Sequence, residues 1–288
     1  MLNIEIHDET SQLETVILGI AESYGVEKQS SNNPKSMFHR KNGTYPKEED
    51  VLLEVKSFED ALVANGVQVL RPTNIQDQNQ IFTRDIGFVI GDFFIKANMK
   101  KESRKVEING ISHITNSFKI LTPPDDAFIE GGDIVLWKDY IFVGKSDRTN
   151  DAGYEFLKQN FKSKKVVQIP LFVSDDYQTN VLHLDCAFQP IGDDFAIFYA
   201  DGFSVRPDAL LDCFKKENLI QVNQQQMIDM YPNIFSISQS KVVIEKSFVE
   251  LKTKLLQKGF DVIEVNYSET SKLRGLLRCS TLPLKRKY

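Results

Sequence analysis

One phrase recurs three times in this chain and limits what it can fold into. Asp85-Ile86-Gly87-Phe88-Val89-Ile90-Gly91-Asp92-Phe93-Phe94-Ile95 reads as strand, polar turn, strand. Asp133-Ile134-Val135-Leu136-Trp137-Lys138-Asp139-Tyr140-Ile141-Phe142-Val143 repeats it, and the stretch from Asp185 to Phe198 repeats it again, slightly longer. Each hairpin opens with an aspartate, and the starts lie roughly fifty residues apart, a period typical of radially or linearly repeated modules. An ordinary parallel α/β sheet does not explain repeated hairpins. Modules that ring a common axis would carry all three aspartates to one end of it.

A second phrase, helix then strand, supplies the rest of each module. Val51, Val55, Phe58 and Leu62 recur at helical spacing, Asn65-Gly66 ends the run, and Val67-Gln68-Val69-Leu70 follows as a strand. Val249, Leu251, Leu255 and Leu256 lead through Lys258-Gly259 to Asp261-Val262-Ile263-Glu264-Val265 in the same way. A weaker copy runs from Glu155 to Phe161 and on to Lys165-Val166-Val167-Gln168-Ile169-Pro170. Leu13 to Gly19 reads as a buried opening strand. The polar segment from Tyr24 to Tyr45 reads as a surface loop placed to lie over a site. The expected class is α/β, each unit a small mixed sheet with its helix outside.

Composition narrows the function. The 288 residues carry a net charge of -5 with no basic stripe, which argues against nucleic-acid binding. The run Lys285-Arg286-Lys287 is a short, solvated cluster. The first residues lack the pattern of a signal peptide, and no apolar run is long enough to span a membrane, so a cytoplasmic protein is expected. Three cysteines, Cys186, Cys213 and Cys279, form neither a disulfide framework nor a zinc pattern.

The chemistry gathers around Cys279. Its neighbours Arg278, Ser280 and Thr281 are polar and partly cationic, a setting expected to favour the reactive thiolate. Cys186 and Cys213 fit core packing better. Of four histidines, only His183 has an acidic partner in a repeat-aligned position. Read as a strand, His183-Leu184-Asp185 points His183 and Asp185 to one face, an arrangement suited to a general acid/base. Glu130-Gly131-Gly132-Asp133 places two carboxylates beside an apolar run, where burial without a cation would be costly. Asp85 and Asp185 raise the same question. A guanidinium is the cation whose donors match carboxylates in bidentate pairs.

These segments resemble the guanidino-group-modifying enzymes: arginine deiminases, dimethylarginine dimethylaminohydrolases and amidinotransferases. The resemblance runs from about Leu13 to Pro283. It is carried by Phe82-Thr83-Arg84-Asp85, Glu130-Gly131-Gly132-Asp133, Gly144-Lys145-Ser146-Asp147-Arg148-Thr149-Asn150, His183-Leu184-Asp185 and Arg278-Cys279-Ser280-Thr281. It implies a five-module α/β propeller (the pentein fold), one domain over residues 1–288 with pseudo-fivefold repeats. It also implies Cys279 as nucleophile, His183 as general acid/base, and Glu130 as the carboxylate that pairs with His183 or substrate. By the same resemblance Asp85, Asp185 and Asp133 handle the guanidinium, and Arg104, Arg148 and Arg274 a substrate carboxylate. No metal or organic cofactor is called for. The expected partner is a small guanidino compound, and the chain is compatible with a homo-oligomer. Size points toward the dimethylaminohydrolases and Thr83-Arg84-Asp85 toward the deiminases. An amidinotransferase and a non-catalytic propeller binding protein are the alternatives.

Overall fold

The computed structural model describes residues 2–24 and 34–288. Strand β1 (Gln12–Leu18) is followed by helices α1 (Pro34–Lys41) and α2 (Glu48–Ala64), then by β2 (Gln68–Leu70), which lies parallel to β1. The next three sheets all follow one plan: an antiparallel hairpin, a helical crossover, and a third strand parallel to the second. In the second sheet, β3 (Gly87–Ile90) and β4 (Phe93–Lys96) form the hairpin, and α3 (Ser112–Thr115) leads to β5 (Lys119–Leu121). In the third, β6 (Ile134–Trp137) pairs with β7 (Tyr140–Lys145), and α4 (Asp151–Asn160) leads to β8 (Lys165–Pro170). In the fourth, β9 (Phe188–Ile191) pairs with β10 (Phe195–Phe198), and α5 (Asp208–Leu211) leads to β11 (Leu219–Gln221).

After α6 (Gln224–Ile228), the fifth sheet pairs β12 (Phe235–Ser236) with β13 (Lys241–Glu245), and α7 (Val249–Gln257) leads to β14 (Asp261–Val265). The short α8 (Ser268–Ser271) precedes β15 (Thr281–Lys287), which returns to lie antiparallel to β1. The first sheet is therefore completed by the far end of the chain, in the order β15-β1-β2. The result is a mixed α/β fold of five three-stranded sheets.

The apolar pattern explains where the helices sit. Val51, Val55, Phe58 and Leu62, the positions expected from spacing, are the apolar residues that α2 buries. Phe58 meets Phe235 and Tyr267 edge to face at 5.9 and 5.7 Å between centroids, which ties α2 to the sheets beneath it.

Two local expectations are corrected. His183-Leu184-Asp185 is not a strand: Leu184–Cys186 is a 3-10 turn with His183 extended just ahead of it. The turn is favoured because the Leu184 N–H donates to the Asp133 carboxyl at 3.0 Å instead of to a neighbouring strand. The expected loop from Tyr24 to Tyr45 contains α1, and residues 25–33 of it lie outside the described residues. Helix α1 is fastened by the buried Lys35, whose ammonium donates to the Ile228 carbonyl at 2.8 Å. No helix among the described residues is long and apolar enough to cross a membrane.

Truncating Phe58 to Ala should cost about 3–5 kcal/mol of unfolding free energy while leaving the far-UV circular dichroism of the folded state unchanged. Urea denaturation measures it; a loss below about 1 kcal/mol would contradict the packing described.

Candidate active site

The residues just ahead of five strands meet in space. Asp85, Asp133, Asp185, Asn233 and Cys279 precede β3, β6, β9, β12 and β15, and all five are buried. Hydrogen bonds lead from each turn to the next. Gly131 N–H donates to the Asp85 carbonyl at 3.3 Å, and Leu184 N–H to the Asp133 carboxyl at 3.0 Å. The Asn233 amide donates to the Asp185 carbonyl at 3.5 Å, while its own side-chain oxygen accepts from Cys279 N–H at 3.0 Å. Arg84 N–H donates to the Cys279 carbonyl at 3.0 Å, which leads back to the turn of Asp85.

The paired glycines of Glu130-Gly131-Gly132-Asp133 allow this approach. A Cβ on Gly131 would stand 2.1 Å from the Arg84 carbonyl oxygen, and one on Gly132 2.6 Å from His183 Nδ1. Side chains at either position would push the turns apart.

His183 is held by three carboxyl groups. Its Nε2 lies 2.9 Å from Glu130 Oε2, and its Nδ1, without a hydrogen-bond partner, lies 3.7 Å from Asp85 Oδ1. Burial works against the imidazolium, but Asp85, Asp133 and Glu130 outweigh it and raise its pKa to about 9. Burial likewise opposes the Glu130 carboxylate, yet the hydrogen bond and charge of His183, with Arg148 and Arg104, bring it to about 2. Asp133 is different: burial lifts its pKa to about 7. It accepts from Ser146 Oγ at 2.6 Å and supports the His183 turn from behind, without reaching the cavity.

Cys279 is 3% exposed, and its thiol lies 3.8 Å from Asp185 Oδ2. The electropositive setting expected from Arg278 is not found. Arg278 directs its guanidinium into the core, where Asp185 Oδ2 accepts from Nη1 at 2.8 Å and Glu9 Oε1 from Nη2 at 3.0 Å. Burial, then Asp185 and Asp85, push the Cys279 thiol well above its ordinary range. At rest the sulfur is a neutral thiol. Asp185 is therefore shared between Arg278 and the two thiols, since Cys186 Sγ also approaches it at 3.6 Å.

A cavity of about 190 Å³ adjoins these turns, lined among others by Ser36 of α1, Asp85, Arg104, Glu107, Arg148 and Arg274. The three expected arginines all reach it, with different freedom. Arg104 is engaged: Nε and Nη2 donate to the two Glu107 oxygens at 2.8 Å each, and Nη1 to Asp85 Oδ2 at 2.7 Å. Burial lifts the pKa of Glu107 to about 7 despite the pairing with Arg104. Arg148 meets both Glu130 oxygens at a longer 3.4 Å, and its Nε is buried without a partner. Arg274 donates to the Asn180 carbonyl at 2.8 Å from a left-handed backbone conformation, φ +70°.

Comparison with known proteins bears on the family and the fold. A family model described as N,N-dimethylarginine dimethylhydrolase, eukaryotic, matches residues 21–286. The chain belongs to that family. This places it among the guanidino-group-modifying enzymes. The YkgA protein of Bacillus subtilis is 31% identical over 229 residues, covering 79% of this chain and 77% of YkgA. An arginine deiminase of Streptococcus agalactiae is 27% identical over 250 residues, and the chain spans 60% of its length. Among solved structures, SxtG, an amidinotransferase from Microseira wollei, superposes with a TM-score of 0.82 at 19% identity over 99% of this chain and 98% of SxtG. The N-terminal domain of ArgZ, a cyanobacterial arginine dihydrolase, gives 0.83 at 19% identity over 96% and 98%. Both share the fold.

Within this family member, sequence reading missed Asn233, Glu9 and Glu107. Asn233 had a findable signal: Tyr231-Pro232-Asn233-Ile234-Phe235 stands where a fourth copy of the repeat would open. Glu107, three residues beyond Arg104, had a weaker one in its spacing. Glu9 pairs across 269 positions and had none.

The charge of His183 has a consequence for stability. Its folded pKa of about 9 lies above the ordinary 6.5, so its contribution is fully present below pH 6.5 and disappears as pH rises through 9. The His183 imidazole resonances should titrate near pH 9 in NMR, and His183→Gln should abolish a stability loss on the order of 3 kcal/mol between those values. Titration below pH 7 would contradict the site geometry.

Proposed function

We propose that this protein is a cysteine-dependent hydrolase acting on the guanidinium group of arginine or a close derivative. In this reading the five sheets ring a common axis as a single propeller domain, and the linked turns form one end of it. The observation that carries the reading is the meeting of Cys279, Asp185, Asp85, His183 and Glu130 on those turns beside a cavity that also presents arginines.

The acidic surroundings that hold the Cys279 thiol neutral are suited to a cation. A guanidinium between Asp85 and Asp185 offsets their charge, and the thiol loses its proton to solvent. The thiolate attacks the central guanidinium carbon. His183 is anchored to Glu130 through Nε2, so Nδ1 is the nitrogen that moves protons. It protonates the departing ammonia or amine, and an amidino-thioester cation remains on Cys279. The now neutral His183 takes a proton from water, which attacks the same carbon. The carbon–sulfur bond breaks and a ureido product such as citrulline leaves.

Arg148 and Arg274 are the cations that meet a substrate carboxylate, because Arg104 is already paired with Glu107 and Asp85. Two carboxylates at the guanidinium call for N–H donors on both terminal nitrogens. A dimethylated nitrogen would set methyl groups against a buried carboxylate at about 1–3 kcal/mol, favouring an unsubstituted guanidinium such as that of L-arginine. The likeness to SxtG supports a second reading, in which the substrate's alkylamine leaves in place of ammonia and the amidino group left on Cys279 passes to an acceptor amine.

Colorimetric detection of ureido product across L-arginine, Nω-methylated arginines, agmatine and guanidinoacetate tests the proposal. Arginine should exceed asymmetric dimethylarginine by roughly tenfold or more in kcat/KM, and Cys279→Ala should abolish turnover. Undiminished activity in Cys279→Ala would end the mechanism. Turnover that requires an added amine would move the protein to the transferases.

A further inference from the structure

Arg278 adjoins Cys279 in sequence, and its guanidinium meets the same Asp185 oxygen, Oδ2, that the Cys279 thiol faces at 3.8 Å. Its guanidinium is fully buried and uses its donors on four acceptor atoms: Asp185 Oδ2 at 2.8 Å, Glu9 Oε1 at 3.0 Å, Glu9 Oε2 at 3.4 Å and the Ile134 carbonyl at 2.7 Å. The Arg278 carbonyl in turn accepts from Arg84 Nε at 3.4 Å. The titratable groups acting on the thiol are acidic, Asp185 and Asp85 from two other turns, Cys186 and the phenol of Tyr267, while a backbone hydrogen bond at Leu276 works in the opposite direction. Those acting on Arg278 are Glu9, Asp185, Arg84 and Arg286.

Resting on the reading of Cys279 as nucleophile, we propose that Arg278 is a positioning residue whose guanidinium is the fixed counter-charge behind Asp185, and that Glu9 sets how much of that charge Cys279 feels. Forming a thiolate 3.8 Å from a carboxylate places two negative charges together in a buried site. Arg278 offsets the first of them permanently, and the substrate cation offsets the second only while bound. Glu9, held on the N-terminal segment ahead of β1, divides the positive charge of Arg278 between itself and Asp185. Arg278 meets Glu9 with two donors, Nε and Nη2, and Asp185 with one, Nη1 to Oδ2.

The test is the pH dependence of Cys279 alkylation by iodoacetamide, located by peptide mass spectrometry, in the full-length protein without substrate. Arg278→Met should move the midpoint of Cys279 alkylation up by about one pH unit or more, and Arg278→Lys should recover part of that shift. Glu9→Gln, nearly isosteric, should move it in the opposite direction, down, because it removes a negative charge. The sign of the Glu9→Gln shift decides the question even if Arg278→Met does not fold. An upward shift or none, in a variant whose thermal midpoint confirms folding, overturns the proposal. The assay reads the thiol directly, so it is independent of turnover. Persistent activity in Cys279→Ala would refute the nucleophile reading, whichever way the alkylation profiles move.

Discussion

The structure depends on hydrogen bonds that pass from one pre-strand turn to the next. Each sheet is only three strands wide, too small to bury both faces of a hairpin alone. The turns of Asp85, Asp133, Asp185, Asn233 and Cys279 join the five sheets at one end through backbone amides and buried side chains. Buried polar groups are tolerated there because each turn satisfies its neighbour. The carboxylates and the thiol are thus held at fixed spacing by the same bonds that hold the sheets together. The spacing of the site and the stability of the fold share one network.

Electrostatics follow from that placement. Burial would neutralise isolated carboxylates, and Asp133, with a pKa lifted to about 7, shows the effect. Glu130 and His183 escape it by pairing, one falling to about 2 and the other rising to about 9. Cys279 has no such partner, and burial with Asp185 and Asp85 pushes its thiol well above the ordinary range. On the reading proposed above, such a site would respond to the charge of a cationic substrate.

Much of this was legible in the sequence, for physical reasons that also explain the misses. The hairpins at Asp85, Asp133 and Asp185 announce themselves because strands of four or more largely apolar residues flank a polar turn. The fourth copy is hidden because β12 has two residues and the turn after it is serine-rich, leaving Asn233 without an apolar frame. Helix α1 carries too few apolar residues to show periodicity; the ties of Lys35 and Ser36 to distant carbonyls hold it. Arg278 was misread because adjacency in sequence does not say which way a side chain points, and its partner Glu9 lies at the other end of the chain. Motif order identifies the family, whereas the charge seen by the Cys279 thiol is a property of the folded turns.

The most direct test of the central claim is the mass of the Cys279 peptide after acid quench during turnover with L-arginine. Attack on the guanidinium carbon with loss of ammonia predicts an adduct on Cys279 equal to the substrate less ammonia. A bare amidino group on Cys279 would instead mark the transferase route. An unmodified Cys279 in a protein that is actively forming citrulline and accumulates an adduct elsewhere would contradict the account.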